Sequence, residues 1–497
     1  MPSTPAVRIQ QVNDRPVRED GAHVLYWMIA HRRRRANFGL QRAAELAREL
    51  GKPLVVLEAL RCGHRWASDR IHSFVLAGMA DNVADFADSG VTYHPYVEPK
   101  PGAGKGLLAA LARDACAVVT DEFPCFFLPH MVASAARQVD VCMEQVDSNG
   151  LLPMRVADKV FGRAFDFRRF LQKSLPAHMG AADFPVGDPL AKELPAAKPL
   201  PRAVTDKWPA ASAALLAGDA AALAKLPIDH DVKPVASIPG GPKAAGTVLR
   251  RFLKEKLAEY GELRNHPDLD AASGLSPYLH FGHLGVHQAF AGLAAQEQWK
   301  GDRFRAKADG QRGWFGMSPG GEAFAEELVV WRELGYNYCW QRDDYGDYAS
   351  LPEWAKATLG EHASDPRAHL YSFEELDRAR THDRLWNAAQ TQLREEGRIH
   401  NYLRMLWGKK VLEWSPSPEV AFDILVELNN RYALDGRNPN SYTGISWVLG
   451  RYDRPWAPKR DVYGVIRYMS SDNTMRKVKA KAYVERWTRP EGTLFPA

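Results

Sequence analysis

The sequence has few cysteines for its length, and they are not spaced for metal binding. Its 497 residues include five cysteines, an odd and widely separated set without a Cys-x-x-Cys pair. This distribution argues against a disulfide framework and against a zinc site. We therefore expect a reduced, cytoplasmic protein that holds no metal.

Long apolar runs are missing as well. No run reaches the ~18 residues that a membrane-spanning helix needs, and the first residues show no apolar stretch of the signal-peptide type. These two observations predict an intracellular protein that does not associate with membranes.

The charge balance shows no strong excess of one sign, but the charge is unevenly distributed. The formal net charge is only +5, whereas residues 450–497 contain eleven Lys/Arg and five Asp/Glu. A basic C-terminal segment suits a polyanionic partner such as nucleic acid. On charge alone, a solvated charged surface explains it equally well.

The N-terminal part alternates between apolar runs and helical patterns. After a polar lead-in at 1–22, the predicted strands are 24–29, 53–57, 91–96 and 117–120, and the predicted helices are 36–50, 69–88 and 106–113. Such alternation is typical of a parallel, doubly wound sheet. We therefore predict a Rossmann-like α/β domain over residues 23–178.

The remaining chain is predicted to be a linker followed by an all-α domain. Residues 179–246 are rich in Pro, Ala and Gly, which is typical of an interdomain linker, here with a short Ala-rich helix near 210–225. From Thr247 the apolar residues recur at helical spacing, and this predicts a helical domain over 247–497.

Two stretches of the first domain look like phosphate sites. The glycines at 102–106 lack the first glycine of a phosphate loop and the Ser/Thr after its lysine, so we reject that interpretation. The four arginines at 32–35 allow phosphate or nucleic-acid binding, but a solvated loop is the commoner meaning of such a run.

The helical half contains three patterns of possible functional meaning. Arg404, Trp407, Val411 and Trp414 share one helix stripe, which on spacing alone favours ordinary core packing. The sequence DGRNPN at 435–440 is a loop of turn-forming residues that holds one acid and one base. The Ser-x-x-Ser at 273–276 precedes an apolar helix and gathers hydroxyl and N–H groups, as an anion site or an ordinary helix cap does.

These motifs, in this order, carry a family resemblance. Arg404-Met405-x-Trp407-x-Lys409-Lys410-x-Leu412-Glu413-Trp414, then Leu428-Asn429, then Asp435-Gly436-Arg437-x-Pro439-Asn440-x-Tyr442 resemble the FAD-binding core of class II cyclobutane pyrimidine dimer photolyases. Further matches lie at 273–282 and 464–469. The chain departs from the family at Leu406, where an aromatic is usual, and at Tyr452, where histidine is usual.

The resemblance implies a set of site residues. The implied FAD-binding residues are Tyr260, Arg264, Ser273, Leu275, Ser276, Trp331, Arg404, Asn429 and Asp435, with Arg404 paired to Asp435. The residues implied to face a flipped-out dimer in DNA are Glu327, Trp331, Trp447 and Arg467. The residues implied in catalysis are Glu327, Trp386, Trp407, Trp414 and Asn429.

The resemblance also implies an electron relay. Trp407 and Trp414 are separated by about 10.5 Å of helix rise, which is long for one hop, and Trp386 occupies the family position between them. The implied order is FAD, Trp407, Trp386, Trp414 and solvent, with Tyr371 at a family aromatic position near this path. The relay would keep FAD reduced, so that light can drive an electron to the dimer.

Three alternative functions remain open from the sequence. The same fold serves blue-light receptors of the cryptochrome type, which usually carry a long tail, and (6-4) photolyases, which generally need histidine chemistry beside the lesion. A non-catalytic nucleic-acid-binding flavoprotein is the third alternative. The family resemblance further implies a monomer and allows for a light-harvesting chromophore of folate or deazaflavin type, for which no binding residues are assigned.

Overall fold

A computed structural model of the protein describes residues 3–488. It contains one six-stranded sheet in the first third and helices in the rest, and this confirms the predicted fold class. The strands are β1 Ile9–Gln11, β2 His23–Met28, β3 Leu54–Leu60, β4 Thr92–Val97, β5 Ala115–Glu122 and β6 Cys142–Asp147. The helices before the linker are α1 Phe38–Glu49, α2 Asp69–Phe86, α3 Leu107–Ala112, α4 Leu128–Ala136 and α5 Ala164–Ser174.

The helices that follow run to the end of the described chain. Short ones are α6 Arg202–Thr205, α7 Ala213–Leu216, α8 Ala220–Leu223, α10 Tyr260–Leu263, α11 Ser276–His280, α13 Pro319–Ala325, α16 Phe373–Asp377, α21 Ser471–Lys477 and α22 Lys481–Trp487. Longer ones are α9 Pro242–Glu255, α12 Val286–Gln296, α14 Arg332–Gln341, α15 Glu353–Glu361, α17 Arg384–Glu396, α18 Asn401–Trp414, α19 Pro418–Tyr432 and α20 Pro439–Val448. A π-helical segment, Glu326–Trp331, joins α13 to α14. The helices within residues 3–488 include none that is both long and apolar enough to cross a membrane.

The sheet has the strand order β1-β6-β5-β2-β3-β4. Five strands are parallel, and in the centre Tyr26 of β2 lies beside Val56 of β3 and Val119 of β5. Every residue of β5 is buried because helices cover both faces of the sheet. The carboxyl ends of the parallel strands therefore meet at one edge, where loops are free to build a binding site.

The polar lead-in contains a strand that the sequence analysis did not predict. Ile9–Gln11 forms the edge strand β1 and pairs antiparallel with β6, so the sheet is mixed. A three-residue strand is too short to show an alternating pattern in the sequence, which explains why it was missed. The end of the basic C-terminal segment lies outside the described residues. The predicted domain limits remain predictions.

The predicted linker lies on the surface of the first domain. The single Ala-rich helix predicted near 210–225 is two four-residue helices, α7 and α8, because Gly218 adopts a left-handed conformation between them. The linker is held by backbone hydrogen bonds, including Ala211 N–H to the Pro95 carbonyl at 2.7 Å.

The four-arginine run is not a solvated loop. Arg33 is buried and donates to the carbonyl of Gly282 in the helical domain at 2.9 Å. Arg32 pairs with Glu58 at 3.0 Å, and Arg34 pairs with Asp188 at 2.7 Å. Arg35 also lies 3.8 Å from the Asp188 carboxylate. All four guanidinium groups therefore have partners, and the run joins parts of the fold that are far apart in sequence.

Gly282 lies where the helical domain packs closely against the chain that follows β2. Its φ of +70° is left-handed, and a Cβ atom there would lie 2.0 Å from the Ala30 carbonyl oxygen at the end of β2. Any side chain would therefore push the two domains apart and remove the partner of Arg33.

We expect Gly282→Ala to lower the free energy of unfolding by at least about 2 kcal/mol, because backbone strain and overpacking add together. Gly360→Ala is the matched control, because Gly360 lies in α15 with no atom within 4 Å of the added Cβ. The control should leave stability unchanged or raise it slightly. Thermal unfolding followed by circular dichroism measures both; equal midpoints for the two variants would contradict the role of Gly282.

Candidate functional site

A cavity of about 1060 Å³ opens among the helices of the C-terminal half. Its walls come from α10, α11, the π-helical segment, α18, α19 and α20. Most of the residues predicted to bind cofactor or substrate, together with the relay residue Trp407, line it: Tyr260, Arg264, Ser273, Leu275, Ser276, Glu327, Trp331, Arg404, Asn429, Asp435 and Trp447. The fold therefore brings together residues that are widely separated in sequence, although their functional roles remain predictions.

An ion pair between Arg404 and Asp435 spans one side of this cavity. The guanidinium of Arg404 donates to the Asp435 carboxylate at 2.7 Å, which is the pairing that the family resemblance implied. Burial would raise the pKa of Asp435, but Arg404 and the hydroxyl of Ser276 outweigh burial, and the pKa lies below its usual value. The pair thus holds a fixed positive and a fixed negative group at the cavity wall.

Hydrogen bonds from Arg437 hold the loop that carries Asp435 in place. Its guanidinium is buried and donates to the carbonyls of Asn430, Ala433 and Leu434, with the Ala433 contact at 3.0 Å. The side-chain oxygen of Asn430 accepts the backbone N–H of Arg437 at 2.7 Å. These bonds hold the turn between α19 and α20 in one conformation.

The predicted anion site at 273–276 precedes a shorter helix than the sequence suggested. Helix α11 begins at Ser276 as expected, but it has only five residues and no side-chain cap. The Ser273 hydroxyl accepts the Leu275 N–H at 3.5 Å, and the Ser276 hydroxyl is used by Asp435. Any anion held here would depend on these hydroxyl and N–H groups more than on a helix dipole.

Glu327 and Trp331 were predicted to share a face of a regular helix. They lie instead in the π-helical segment, whose wider turn changes the angle between them, yet both still line the cavity. Such segments often occur at functional sites. Arg264 pairs with Glu327 at 2.5 Å. Burial raises the pKa of Glu327 despite this partner.

Aromatic rings form the wall beside Glu327. The rings of Trp331 and Trp447 are 5.5 Å apart in an edge-to-face arrangement, and Tyr452 lies 5.7 Å from Trp447. The Arg168 guanidinium stacks 4.8 Å from the Trp331 ring and pairs with Glu326 at 2.7 Å. This wall is aromatic, and Arg168 holds the Trp331 ring, so it offers ring surfaces against which a planar ring system can pack.

The three relay tryptophans are connected, but not all by ring contact. Trp407 lines the cavity, and its backbone carbonyl accepts the indole N–H of Trp386 at 2.9 Å. The rings of Trp386 and Trp414 are 5.5 Å apart. The predicted order from the cavity outward is therefore compatible with the packing.

Of the two remaining predicted residues, Asn429 lies in the cavity wall and Arg467 lies outside it. Asn429 lines the cavity and donates to the side chain of Asn430 at 3.1 Å. Arg467 lies outside the cavity lining on the exposed surface, where it stacks 5.3 Å from Trp456. Any role of Arg467 toward DNA would therefore be at the surface.

Sequence reasoning assigned no role to several residues that support the site. Gln390 accepts the indole N–H of Trp407 at 2.9 Å and fixes its ring. A Cβ atom on Gly408 would lie 2.5 Å from Val448, so this glycine allows α18 and α20 to pack closely. Lys409 is buried, donates to the Val448 carbonyl, and has its pKa lowered by burial to about 7. Local periodicity does not signal these contacts, because each of them joins residues of two different helices.

A second cavity of about 640 Å³ lies at the carboxyl edge of the sheet. Trp27, Leu57, Tyr96 and Phe123 contribute apolar surface, and the glycine loop at 102–106 forms part of its wall. Sequence reasoning had set that loop aside. Helix α11 and the chain after it separate the two cavities, because Ser276 lines the first, whereas His280 and Phe281 line the second.

Comparison with known proteins identifies relatives over nearly the whole chain. A deoxyribodipyrimidine photo-lyase from Methanothermobacter thermautotrophicus is 33% identical over 97% of this chain and 98% of its own length. Those from Potorous tridactylus and Oryza sativa are 32% and 33% identical over 91% and 95% of this chain, and over 79% and 88% of their own lengths. No protein-family model matches the chain.

The solved structures add a likeness of fold. A bacterial class III photolyase from Agrobacterium tumefaciens superposes with a TM-score of 0.67 at 17% identity, covering 94% of this chain and 86% of that one. The sequence relatives exceed 30% identity over most of both chains. On that evidence, this chain belongs to the deoxyribodipyrimidine photo-lyase family.

Proposed function

We propose that this protein is a class II photolyase that splits cyclobutane pyrimidine dimers in DNA. When bound, reduced FAD supplies the chemistry by passing an electron to the dimer under light. The observation that carries the proposal is one cavity that combines the Arg404–Asp435 pair, the wall of Glu327, Trp331 and Trp447, and the first ring of a tryptophan relay.

The cavity residues fit FAD in size and chemistry. Its volume of about 1060 Å³ exceeds the usual range for small ligands and suits a large dinucleotide. Arg404 would hold positive charge beside an anionic ring system, and Asp435 would fix Arg404 in place. Asn429 would present an amide to the ring edge, and the groups of 273–276 would bind the diphosphate.

The histidine content of the cavity favours a cyclobutane dimer over a (6-4) lesion. Of the described histidines, His400 lines the cavity. Burial, with help from Arg398, lowers its pKa to about 4, so it is neutral at physiological pH and a weak proton donor. A site for a (6-4) lesion would need a histidine that donates a proton beside the lesion, and His400 is not suited to that role.

Glu327 would act on the dimer through its protonation state. A hydrogen bond from Glu327 to a base carbonyl needs either the protonated acid or a bridging water. The raised pKa of Glu327, caused by burial, favours the acid, whereas the ion pair with Arg264 favours the carboxylate. Substrate that displaced Arg264 would therefore shift Glu327 toward its protonated form.

DNA would bind at the surface that surrounds the cavity. The lesion must leave the duplex to reach a buried cofactor, and a damaged pair costs less to unstack. Arg454 and Arg467 both stack on the exposed ring of Trp456, at 4.6 and 5.3 Å. Such basic groups would contact phosphates and make the affinity dependent on salt.

The second cavity is a candidate site for a light-harvesting chromophore of folate or deazaflavin type. It lies at the sheet edge where α/β domains bind ligands. Only α11 and its flanking residues separate it from the first cavity, so that a chromophore here would be near the flavin.

We expect purified protein to contain noncovalent FAD, and Arg404→Gln to weaken FAD binding by roughly tenfold to a hundredfold, the effect of losing a charged hydrogen bond. Arg431→Gln is the control, because Arg431 pairs with Asp229 away from the cavity. Flavin absorbance and equilibrium dialysis measure the affinities. A protein that neither contains nor takes up FAD would refute the cofactor assignment.

We expect Trp386→Phe and Trp407→Phe to block photoreduction of oxidised FAD while FAD stays bound, because phenylalanine packs similarly but is a much poorer electron donor. Trp354→Phe is the control, since Trp354 packs against the same core but has no ring contact with the relay. Illumination with an external reductant, followed by flavin absorbance, distinguishes them. Normal photoreduction in both relay variants would place the electron path elsewhere.

We expect light, and not darkness, to restore thymine absorbance when chemically reduced enzyme is mixed with a thymine-dimer oligonucleotide. Glu327→Ala should lower the repair yield more than it lowers DNA affinity, because its hydrogen bond is strongest once the dimer carries negative charge. Glu262→Ala, on the exposed side of α10, is the control. Repair of a (6-4) lesion alone would overturn the substrate, and repair of neither would favour a light receptor.

A further inference from the structure

A basic loop joins α12 to α13 beside the first cavity. Its residues, 297–318, form neither helix nor strand. Two acids, Asp302 and Asp309, lie between residues 300 and 316, and the basic side chains in that stretch outnumber them. All of these basic side chains are exposed: Lys300, Arg303, Arg305, Lys307 and Arg312. The loop therefore presents a positive surface to solvent.

Aromatic packing holds the basic loop in one conformation. The Phe304 ring stacks on the Trp314 ring at 4.2 Å, and the Trp299 ring lies 5.4 Å from Phe290 of α12. The indole N–H of Trp299 donates to the Phe315 carbonyl at 2.7 Å. Because this small core fixes the backbone, the loop does not need its basic side chains to keep its shape.

The basic side chains differ in how they are bonded. Arg303 donates to two carbonyls at the start of the basic loop, both at 3.3 Å, and Arg305 lies 3.8 Å from the Asp309 carboxylate. Within residues 3–488, three have no side-chain hydrogen bond and no ion pair: Lys300, Lys307 and Arg312. Unpaired cations on one ordered loop suit an anionic partner.

The tip of the basic loop is attached to the wall of the first cavity. Gln172 of α5 accepts the Gly310 N–H at 2.8 Å and donates to the Gln311 carbonyl at 2.8 Å. Arg168, one helical turn earlier, donates to the Gly310 carbonyl at 3.5 Å and stacks 4.8 Å from the Trp331 ring. The side chain that holds the aromatic wall thus also holds the loop tip.

Arg312 lies at the mouth of the first cavity. Burial raises the pKa of Glu327, whereas Arg264 and, to a smaller extent, Arg312 lower it, so Arg312 is near enough for its charge to act on this acid. Glu327 lines the cavity, and the Arg312 side chain is exposed. The guanidinium of Arg312 is therefore close both to the cavity interior and to the outer surface.

We propose that the basic loop binds the phosphate backbone of the lesion-bearing DNA strand, with Arg312 at the phosphates of the flipped-out dimer and Lys307 at the adjoining strand. This inference rests on the proposed function. It assigns to DNA a surface separate from the one that Arg454 and Arg467 form around Trp456.

The position of the lesion determines where its phosphates must lie. A base that reaches Glu327 is joined through one sugar to its own phosphates, which therefore remain at the cavity mouth, where Arg312 is exposed. A guanidinium binds phosphate through two parallel N–H groups, which gives this contact a defined geometry. In undamaged DNA the strand stays in the duplex, so its phosphates would not enter the mouth and the contact with Arg312 would be weaker.

The test measures binding of the full-length protein, in the dark, to a fluorescent duplex with one thymine dimer and to the same duplex undamaged. Fluorescence anisotropy at several salt concentrations gives the affinities. The double variant Lys307→Gln/Arg312→Gln should bind the dimer duplex on the order of tenfold more weakly at about 0.1 M salt. The slope of log affinity against log salt should fall by roughly two, because two phosphate contacts are lost. Arg312→Gln alone should weaken binding of the dimer duplex more than binding of the undamaged one.

Lys198→Gln/Lys225→Gln is the matched control. It removes the same charge from exposed positions of the linker that line neither cavity, and both affinities should stay unchanged. Flavin absorbance and the thermal midpoint verify that each variant is folded. Equal losses in the two double variants would overturn the proposal, as would an unchanged salt slope in Lys307→Gln/Arg312→Gln, which would leave the basic loop as a solvated or protein-facing surface. A wild-type protein that binds both duplexes equally well would count instead against the proposed function.

Discussion

The buried guanidinium of Arg437 is the contact on which the geometry of both cavities depends. No carboxylate forms a direct ion pair with it among the described residues, and backbone carbonyls at the end of α19 satisfy it instead. Burial lowers its pKa to about 10, so it remains charged at physiological pH. Because a charged group cannot stay buried without its hydrogen bonds, the loop is unable to shift without a large energetic cost. Asp435 is thereby fixed toward one cavity while Arg437 borders the other.

Buried arginine side chains that donate to backbone carbonyls also join the two domains at other places. Arg33 donates to the Gly282 carbonyl, and Arg70, on α2, donates to the Tyr432 carbonyl at 2.7 Å. Arg8 donates to the Leu151 carbonyl and contacts His287 of α12. A guanidinium offers five N–H donors, so one side chain can bond several carbonyls that would otherwise lack a hydrogen-bond partner in the interface. The cavity among the helices is therefore supported by contacts that reach back to the sheet.

These contacts also explain what the sequence was able to predict. Periodicity and turn residues predicted the alternating strands of the sheet and three of the helices beside them, because such features depend on neighbouring residues. Motif order predicted the Arg404–Asp435 pair and the residues that meet in one cavity. Arg33 and Gln390 could not be predicted, because their partners are a backbone carbonyl and a distant indole N–H. Periodicity likewise gave no sign of the extra residue in the turn at Glu326–Trp331, since tertiary packing determines it.

Helix α11 has a consequence for how this protein can change over evolution. Tyr278 and Leu279 line the first cavity, and His280 and Phe281, which follow directly, line the second. A mutation in these few residues therefore alters the shape of both binding sites at once. Adaptation of one cavity to a new ligand would select compensating changes in the other, so the two sites are expected to diverge together among related lineages and not independently.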